Sequence, residues 1–212
     1  MSILTLAIES AIRGGSIAIF NDGKIAASWS GNSGVSKAED LLPAVAELLK
    51  KNSIRLYDID QIAVSVGPGS FTGLRIGIST VMGLSDSTGI EAFGMSALAA
   101  IASNASAISA VVPIGKHDIA WQAFDKDHAV ENQIAVGSID DLLAAKPADP
   151  VFYRSIMEEH FESITRVFGE LNDSRICSNA AVEIGRCSVV RPEMRLPLEP
   201  LYVQNPRYIS LF

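Results

Sequence analysis

Apolar and polar positions follow two rhythms along this chain. Near the start, Ile3-Leu4-Thr5-Leu6-Ala7-Ile8 is an almost unbroken apolar run, the pattern of a strand covered on both faces. Ser16 to Phe20 follows the Gly14-Gly15 turn, and Asn21-Asp22-Gly23 is a hairpin signal that returns the chain along Lys24 to Trp29. The longer rhythm begins at Leu41. Leu41, Leu42, Val45, Leu48 and Leu49 fall on one face of a helix of about a dozen residues that ends near Asn52. Its start has two readings. Ser36-Lys37-Ala38-Glu39 fits a capping box but leaves Pro43 inside the helix. Asp40 as N-cap puts Pro43 in the first turn, where proline is tolerated.

Gln61 to Val66 predicts a second buried strand running into Gly67-Pro68-Gly69-Ser70, and Phe71 to Asp86 a helix capped by Ser70. Gly94-Met95-Ser96 leads into an alanine-rich helix, Ala97 to Ala102. The small polar run Ser103-Asn104-Ala105-Ser106 then divides a lobe of residues 1–102 from a smaller one of 103–212. The second half repeats the order with weaker contrast. It has strands at Ile108–Ile114, Asp118–Asp125 and Ala129–Val136, and a helix at Ile139–Ala145. A strand at Pro150–Tyr153 and helices at Ile156–Phe168 and Ala180–Arg186 follow, and the chain is proline-punctuated from Val189. The predicted class is α/β, two related lobes, each a mixed sheet flanked by helices.

Composition narrows the chemistry. The 212 residues carry a formal charge of −7, and an acidic surface repels phosphate backbones, which argues against unaided tight binding of nucleic acid. Cys177 and Cys187, read as lying on one helical stretch, would be about 15 Å apart, too far for a disulfide. His117, His128 and His160 have no partner at metal-ligand spacing, so no structural metal site is expected. Trp29 and Trp121 fall within strands and read as core or interface. No apolar stretch reaches membrane-spanning length without interruption, and no basic leader precedes the first strand. The expectation is a reduced, cytoplasmic protein.

Two segments could carry chemistry. Gly67-Pro68-Gly69-Ser70-Phe71-Thr72-Gly73-Leu74-Arg75-Ile76-Gly77 lies where a strand turns into a helix, so its glycines and free N–H groups suit either a structural turn, the favoured reading, or an anion site. It lacks the lysine of a P-loop, the spacing of a dinucleotide fingerprint and the frame of a nucleophile elbow. Gly69, Gly73 and Gly77 leave one helical stripe without side chains, for close approach of the chain's own sheet or of a second chain's helix. Glu9-Ser10-Ala11-Ile12-Arg13-Gly14-Gly15-Ser16 sits where actin-like ATPases place a Mg²⁺-associated Asp and a phosphate loop. The acid is the longer Glu and bulky residues fill the turn, so a solvated hairpin is the favoured reading.

Taken together, Leu4-Thr5-Leu6-Ala7-Ile8-Glu9-Ser10, Leu41-Leu42-Pro43 and the stretch Gly67 to Gly77 resemble the TsaB/YeaZ family, most specifically over residues 1–102, with Pro200-Leu201-Tyr202 as further support. The resemblance implies an actin-like, hexokinase-superfamily fold and a cytoplasmic, homodimeric protein with no catalytic site of its own. It further implies pairing with a TsaD-like catalytic subunit and a TsaE-like ATPase, an assembly that transfers threonylcarbamoyl to the adenosine beside the tRNA anticodon. tRNA would be met only through that complex, and no membrane is involved. Carried over residue by residue, Leu41, Leu42, Val45, Gly73, Arg75 and Gly77 become partner-interface candidates. Glu9, Ser10, Gly67, Gly69 and Ser70 become a degenerate phosphate loop, with no cofactor or at most vestigial ATP and Mg²⁺. Four places depart from the family's usual pattern. Glu9-Ser10-Ala11 stands for Asp-Thr-Ser, and Lys37-Ala38-Glu39 followed by Asp40 for His-Ser-Glu. Gly115-Lys116-His117 stands for Asp-Ala-Arg, and Gln204 for an Arg. The alternative is a small-molecule kinase, ATPase or hydrolase working in the cleft between the lobes.

Overall fold

The computed structural model describes residues 2–31, 40–105, 107–115, 117–125, 127 and 130–203. Each half of the chain builds one five-stranded sheet. The first comprises β1 (Leu4–Glu9), β2 (Ser16–Asn21), β3 (Lys24–Ser30), β4 (Gln61–Gly67) and β5 (Glu91–Ser96), in the order β3-β2-β1-β4-β5. The hairpin strands pair antiparallel, and β1, β4 and β5 run parallel through α1 (Leu41–Lys51) and α2 (Phe71–Thr88). The second comprises β6 (Ser109–Ile114), β7 (Asp118–Ala123), β8 (Ala135–Gly137), β9 (Pro150–Tyr153) and β10 (Ile176–Cys177), in the order β10-β9-β6-β7-β8. With α4 (Ile139–Ala145) and α5 (Arg154–Phe168) as crossovers, this is the topology of the first sheet over again. The two-lobe α/β expectation holds.

The strand pattern explains the layering. Successive side chains of β1 and β4 point to opposite faces. Leu6, Ile8, Ile62 and Val64 meet Leu41, Val45, Leu48 and Leu49 of α1 and Val81 of α2. On the other face, Ala7, Ala18, Phe20 and Ala63 meet Ala100 of α3 (Ala97–Ala105) and Ala181, Ile184 and Cys187 of α6 (Ala180–Val190). The small residues on this second face let α6 lie close. A Cβ on Gly185 would run into the Phe20 ring, which is fully buried. α3 turns its remaining apolar residues, Leu98 and Ile101 among them, into the core of the second sheet, so α3 and α6 form a layer between the sheets.

This packing corrects the division at residue 102. It separates the two sheets, but the 103–212 segment is not confined to the second lobe, because α6 returns to the first sheet. The chain after α6 returns further still. Leu196 exchanges backbone hydrogen bonds with Gly94 of β5 at 2.7 and 2.9 Å, and the Leu201 N–H donates to the Val66 carbonyl at 2.7 Å. A proline-rich segment thereby covers the edge of the first sheet, which would otherwise present unpaired backbone groups.

Smaller differences have local reasons. β5 reads poorly because Glu-Ala-Phe-Gly-Met-Ser carries little β pattern. Asp40 occupies the N-cap position of α1, with Pro43 in the first turn, but its side chain makes no capping bond. Ser36 to Glu39 lie outside the described residues, as do Lys116, His128 and Gln204. Cys177 is on β10 rather than in a helix, and both cysteines are free and buried. No helix among the described residues is long and apolar enough to cross a membrane.

The glycine stripe of α2 faces inward. A Cβ on Gly69 would strike Ala11, one on Gly73 the Ser10 carbonyl and the Ala11 Cα at 2.7 Å, and one on Gly77 the Ser10 hydroxyl. The neighbour the stripe admits is the chain's own β1–β2 turn. Gly73 and Gly77 are therefore not available to a second chain, a correction to the sequence expectation. Gly83, on the exposed side of α2, has nothing within 4 Å of its built Cβ. Gly73→Ala, forced against backbone that cannot swing aside, is expected to destabilise the fold by about 1–3 kcal/mol. Gly83→Ala is expected to stabilise it by up to about 1 kcal/mol. Urea unfolding of the two variants checks both signs, and equal effects would show that the stripe is not the close contact.

Candidate functional site: the β1–β2 turn and the α1–α2 face

β1 ends on Glu9, whose carboxylate is fully buried. Its Oε1 accepts from the N–H groups of Ala11 at 2.6 Å and Ile12 at 2.8 Å, and the Gly15 N–H closes the turn on the Ile12 carbonyl at 2.9 Å. Ser10 Oγ donates to the Gly73 carbonyl at 2.8 Å, and the Ser70 N–H donates to the Ala11 carbonyl at 2.8 Å. Ile12, 1% exposed, sits in the core of the second lobe. The solvated hairpin expected from the sequence is thus overturned. The turn is a buried plug joining α2, the first sheet and the second lobe. Glu9 Oε2 has no hydrogen-bond partner among the described residues. Burial pushes the carboxyl up to about 7, against the lowering effect of the two N–H donors. Its charge in turn helps burial to push up the phenol of Tyr153 and the thiol of Cys177.

The other phosphate-loop candidates are spent on the protein itself. Gly67 lies at φ 120° with the Leu201 carbonyl 2.9 Å from its built Cβ, and Gly69 is closed by Ala11. Ser70 caps α2, accepting from the Gly73 N–H at 3.1 Å. Beside the turn, Arg13, His117, Asp118, Ser155, Glu159 and His160 line a cavity of about 30 Å³, crossed by an Arg13–Glu159 pair at 3.9 Å. Small-molecule sites commonly enclose about 300–1,000 Å³. Mg²⁺ takes six oxygen ligands. Glu9, with one oxygen engaged by two N–H groups and the other sealed from solvent, does not fit it. The structure therefore brings Glu9, Ser10, Gly69 and Ser70 together, but as a packing joint.

The α1–α2 face has the opposite character. Leu41 and Val45 are 5% and 4% exposed and belong to the first lobe's core, so of the α1 candidates only Leu42, half exposed, is presented outward. Arg75 is exposed, its guanidinium lying 4.0 Å over the Phe71 ring and its Nε donating to the Tyr202 hydroxyl at 3.1 Å. Phe71 and Tyr202 stack at 4.9 Å, and both remain about half exposed. Near the other end of α2, Leu42, Val45, Ala46, Leu49, Ile54, Leu56 and Leu84 line a groove of about 560 Å³, with Val45 and Leu49 at its floor, and Met82 stands exposed on α2. The sequence reading missed Ile54, Leu56, Met82 and Leu84, which only the α1–α2 packing assembles, and the Phe71–Tyr202 stack, which depends on the returning C-terminal segment.

The buried carboxyl makes a pH-dependent signature. The folded protein keeps the Glu9 proton up to about pH 7, whereas the unfolded chain loses it near 4.5. The folded state then binds the extra proton, so this group's contribution falls as pH rises from about 4.5 to about 7, by roughly 3 kcal/mol in all. Glu9→Gln keeps an acceptor for Ala11 and Ile12 without the charge. It is expected to match the wild type near pH 4.5 and exceed it in stability at pH 8, as urea unfolding at the two pH values would read.

Known proteins resemble this chain in sequence and in fold. A family model described as TsaD, tRNA N6-adenosine threonylcarbamoyltransferase, matches residues 35–139. The tRNA threonylcarbamoyladenosine biosynthesis protein TsaB of Escherichia coli K12 is 30% identical over 128 residues, 58% of this chain and 55% of that protein. TsaB of Buchnera aphidicola subsp. Schizaphis graminum is 37% identical over 105 residues, 50% of each chain. This chain spans about half the length of these relatives. Among solved structures, a Pseudomonas aeruginosa protein with similarity to peptidase YeaZ superposes with a TM-score of 0.65 at 21% identity, over 95% of this chain and 100% of that one. YeaZ from the same organism gives a TM-score of 0.62 at 19% identity over the same shares. In sequence over the first lobe this chain is similar to TsaB proteins, and in fold over both lobes it is similar to YeaZ.

Proposed function

We propose that this chain is the non-catalytic partner of a TsaD-like subunit, in the assembly that transfers threonylcarbamoyl to the adenosine beside the tRNA anticodon. A TsaE-like ATPase completes the assembly. One contrast carries the reading. The junction where an actin-like enzyme would hold its nucleotide is plugged by Ile12 and Arg13, while on the α1–α2 face the described residues leave apolar surface and a groove uncovered. Exposed contiguous apolar surface rimmed by charge, here Lys50 and Arg55, is the anatomy of a protein-binding site. The names of the TsaB relatives supply the pathway. The charge of −7 leaves tRNA to be gripped by other subunits, and a cytoplasmic location and self-pairing through the same lobe go with this reading.

Of the original interface set, Leu42 and Arg75 are exposed and Val45 lines the groove, and Met82, Leu84, Phe71 and Tyr202 join them. Co-elution with the TsaD-like protein of the same organism, by size exclusion with light scattering, tests the proposal. The wild type is expected to form a stable complex. Leu42→Glu, which places a charge in the groove, is expected to weaken it about 10- to 100-fold while changing monomer stability by only roughly 0.5 kcal/mol. Separate elution with and without tRNA would contradict the proposal. The kinase or ATPase alternative makes a different demand. A ligand at 100 times its Kd adds about 2.7 kcal/mol of stability, and no thermal shift is expected here with millimolar ATP and Mg²⁺.

A further inference from the structure

The β1–β2 turn holds a buried acid where no chemistry uses it. Glu9 is fully buried, Oε2 has no partner among the described residues, and Oε1 alone takes the two N–H groups that shape the turn. No cation contributes to its proton affinity, which is set by burial against those two donors. From the second lobe, the titratable groups facing it are the Tyr153 phenol and the Cys177 thiol, neither of which carries a positive charge. On β2, its register partner Ser16 accepts the Ala181 N–H at 3.0 Å. Arg13, on the turn itself, points its guanidinium toward Glu159. An ionised Glu9 in this place is a buried charge without a counter-ion among the described residues, and its cheapest relief is for the turn to move and let water reach Oε2.

The turn is also the piece that joins the lobes. Ile12 enters the second core, Ser10 and Ala11 fill the glycine stripe of α2, and Arg13 pairs with Glu159 of α5. We propose that Glu9 is a proton-operated latch between the lobes: the neutral carboxyl holds the β1–β2 turn seated, and ionisation releases the turn and with it the coupling of Ile12 to the second core. The device is independent of which partner the α1–α2 face binds.

Hydrogen–deuterium exchange between pH 5 and 8, divided by the intrinsic exchange rate at each pH, tests it on the whole chain. With the closed turn titrating near 7 and the open turn near 4.5, opening rises close to tenfold per pH unit between pH 5 and 7 and levels off above. The expected result is that loss of protection at the amides of Ala11 and Ile12 and in the first turns of α2, while β1, β4 and β6 keep theirs. Glu9→Gln is expected to hold the turn's protection constant across the range. A flat wild-type profile overturns the latch, as does an equal slope in Glu9→Gln. A slope shared by every strand also overturns it, because the proton would then be linked only to global unfolding.

Discussion

The structure depends on one close approach, that of the β1–β2 turn to the side-chain-free stripe of α2. Gly69, Gly73 and Gly77 let the Ser10–Ala11 backbone lie where any Cβ would stand. The Ser10 hydroxyl and the Ala11 carbonyl then bond to α2 and its N-cap. Glu9 shapes the turn from behind, and Ile12 carries it into the second lobe. Hydrophobic burial supplies the bulk of the stability, but this joint fixes how α2 lies on its sheet and how the two sheets are tied.

The same joint decides what the chain can do. A phosphate loop needs a backbone concavity with N–H groups free for a ligand. Here Ala11 and Ile12 give theirs to Glu9, Ser70 gives its own to Ala11, and Gly73 gives its own to Ser70. The fold keeps the layout of an actin-like enzyme and turns its ligand loop into a packing element. The outward side of α2 has a different character. One side of the helix is held flat against the turn, and the other joins α1 and the Phe71–Arg75–Tyr202 cluster in a face that the described residues leave uncovered.

How far the residues alone disclose this follows from contrast. β1, β4, α1 and α2 stand out because apolar runs and helical spacing are strong there. The repeated order of elements then yields the two lobes and the mixed sheets. β5 escapes because a parallel strand built from Glu-Ala-Phe-Gly-Met-Ser has no marked period, its burial coming from neighbours. The return of α6 to the first sheet escapes because nothing local in Ala180–Val190 says which sheet its small residues fit. Glu9 reads as solvent-facing because carboxylates usually are. Only three-dimensional packing reveals that it is fully buried and near enough to Tyr153 and Cys177 for its charge to be felt there. The glycine stripe is visible in the residues, but not its direction, since a stripe without side chains admits any backbone that arrives, and the Ser10 backbone it does admit lies 63 residues from Gly73 along the chain.

The proposed working surface is the α1–α2 face and not the junction between the lobes. Exchange footprinting of this chain mixed with the TsaD-like protein of the same organism tests it most directly. New protection is expected across Leu42–Leu56 and Phe71–Leu84, with the β1–β2 turn and the residues lining the small cavity beside it unchanged. Protection confined to Arg13, His117 and His160, with α1 and α2 untouched, would contradict it.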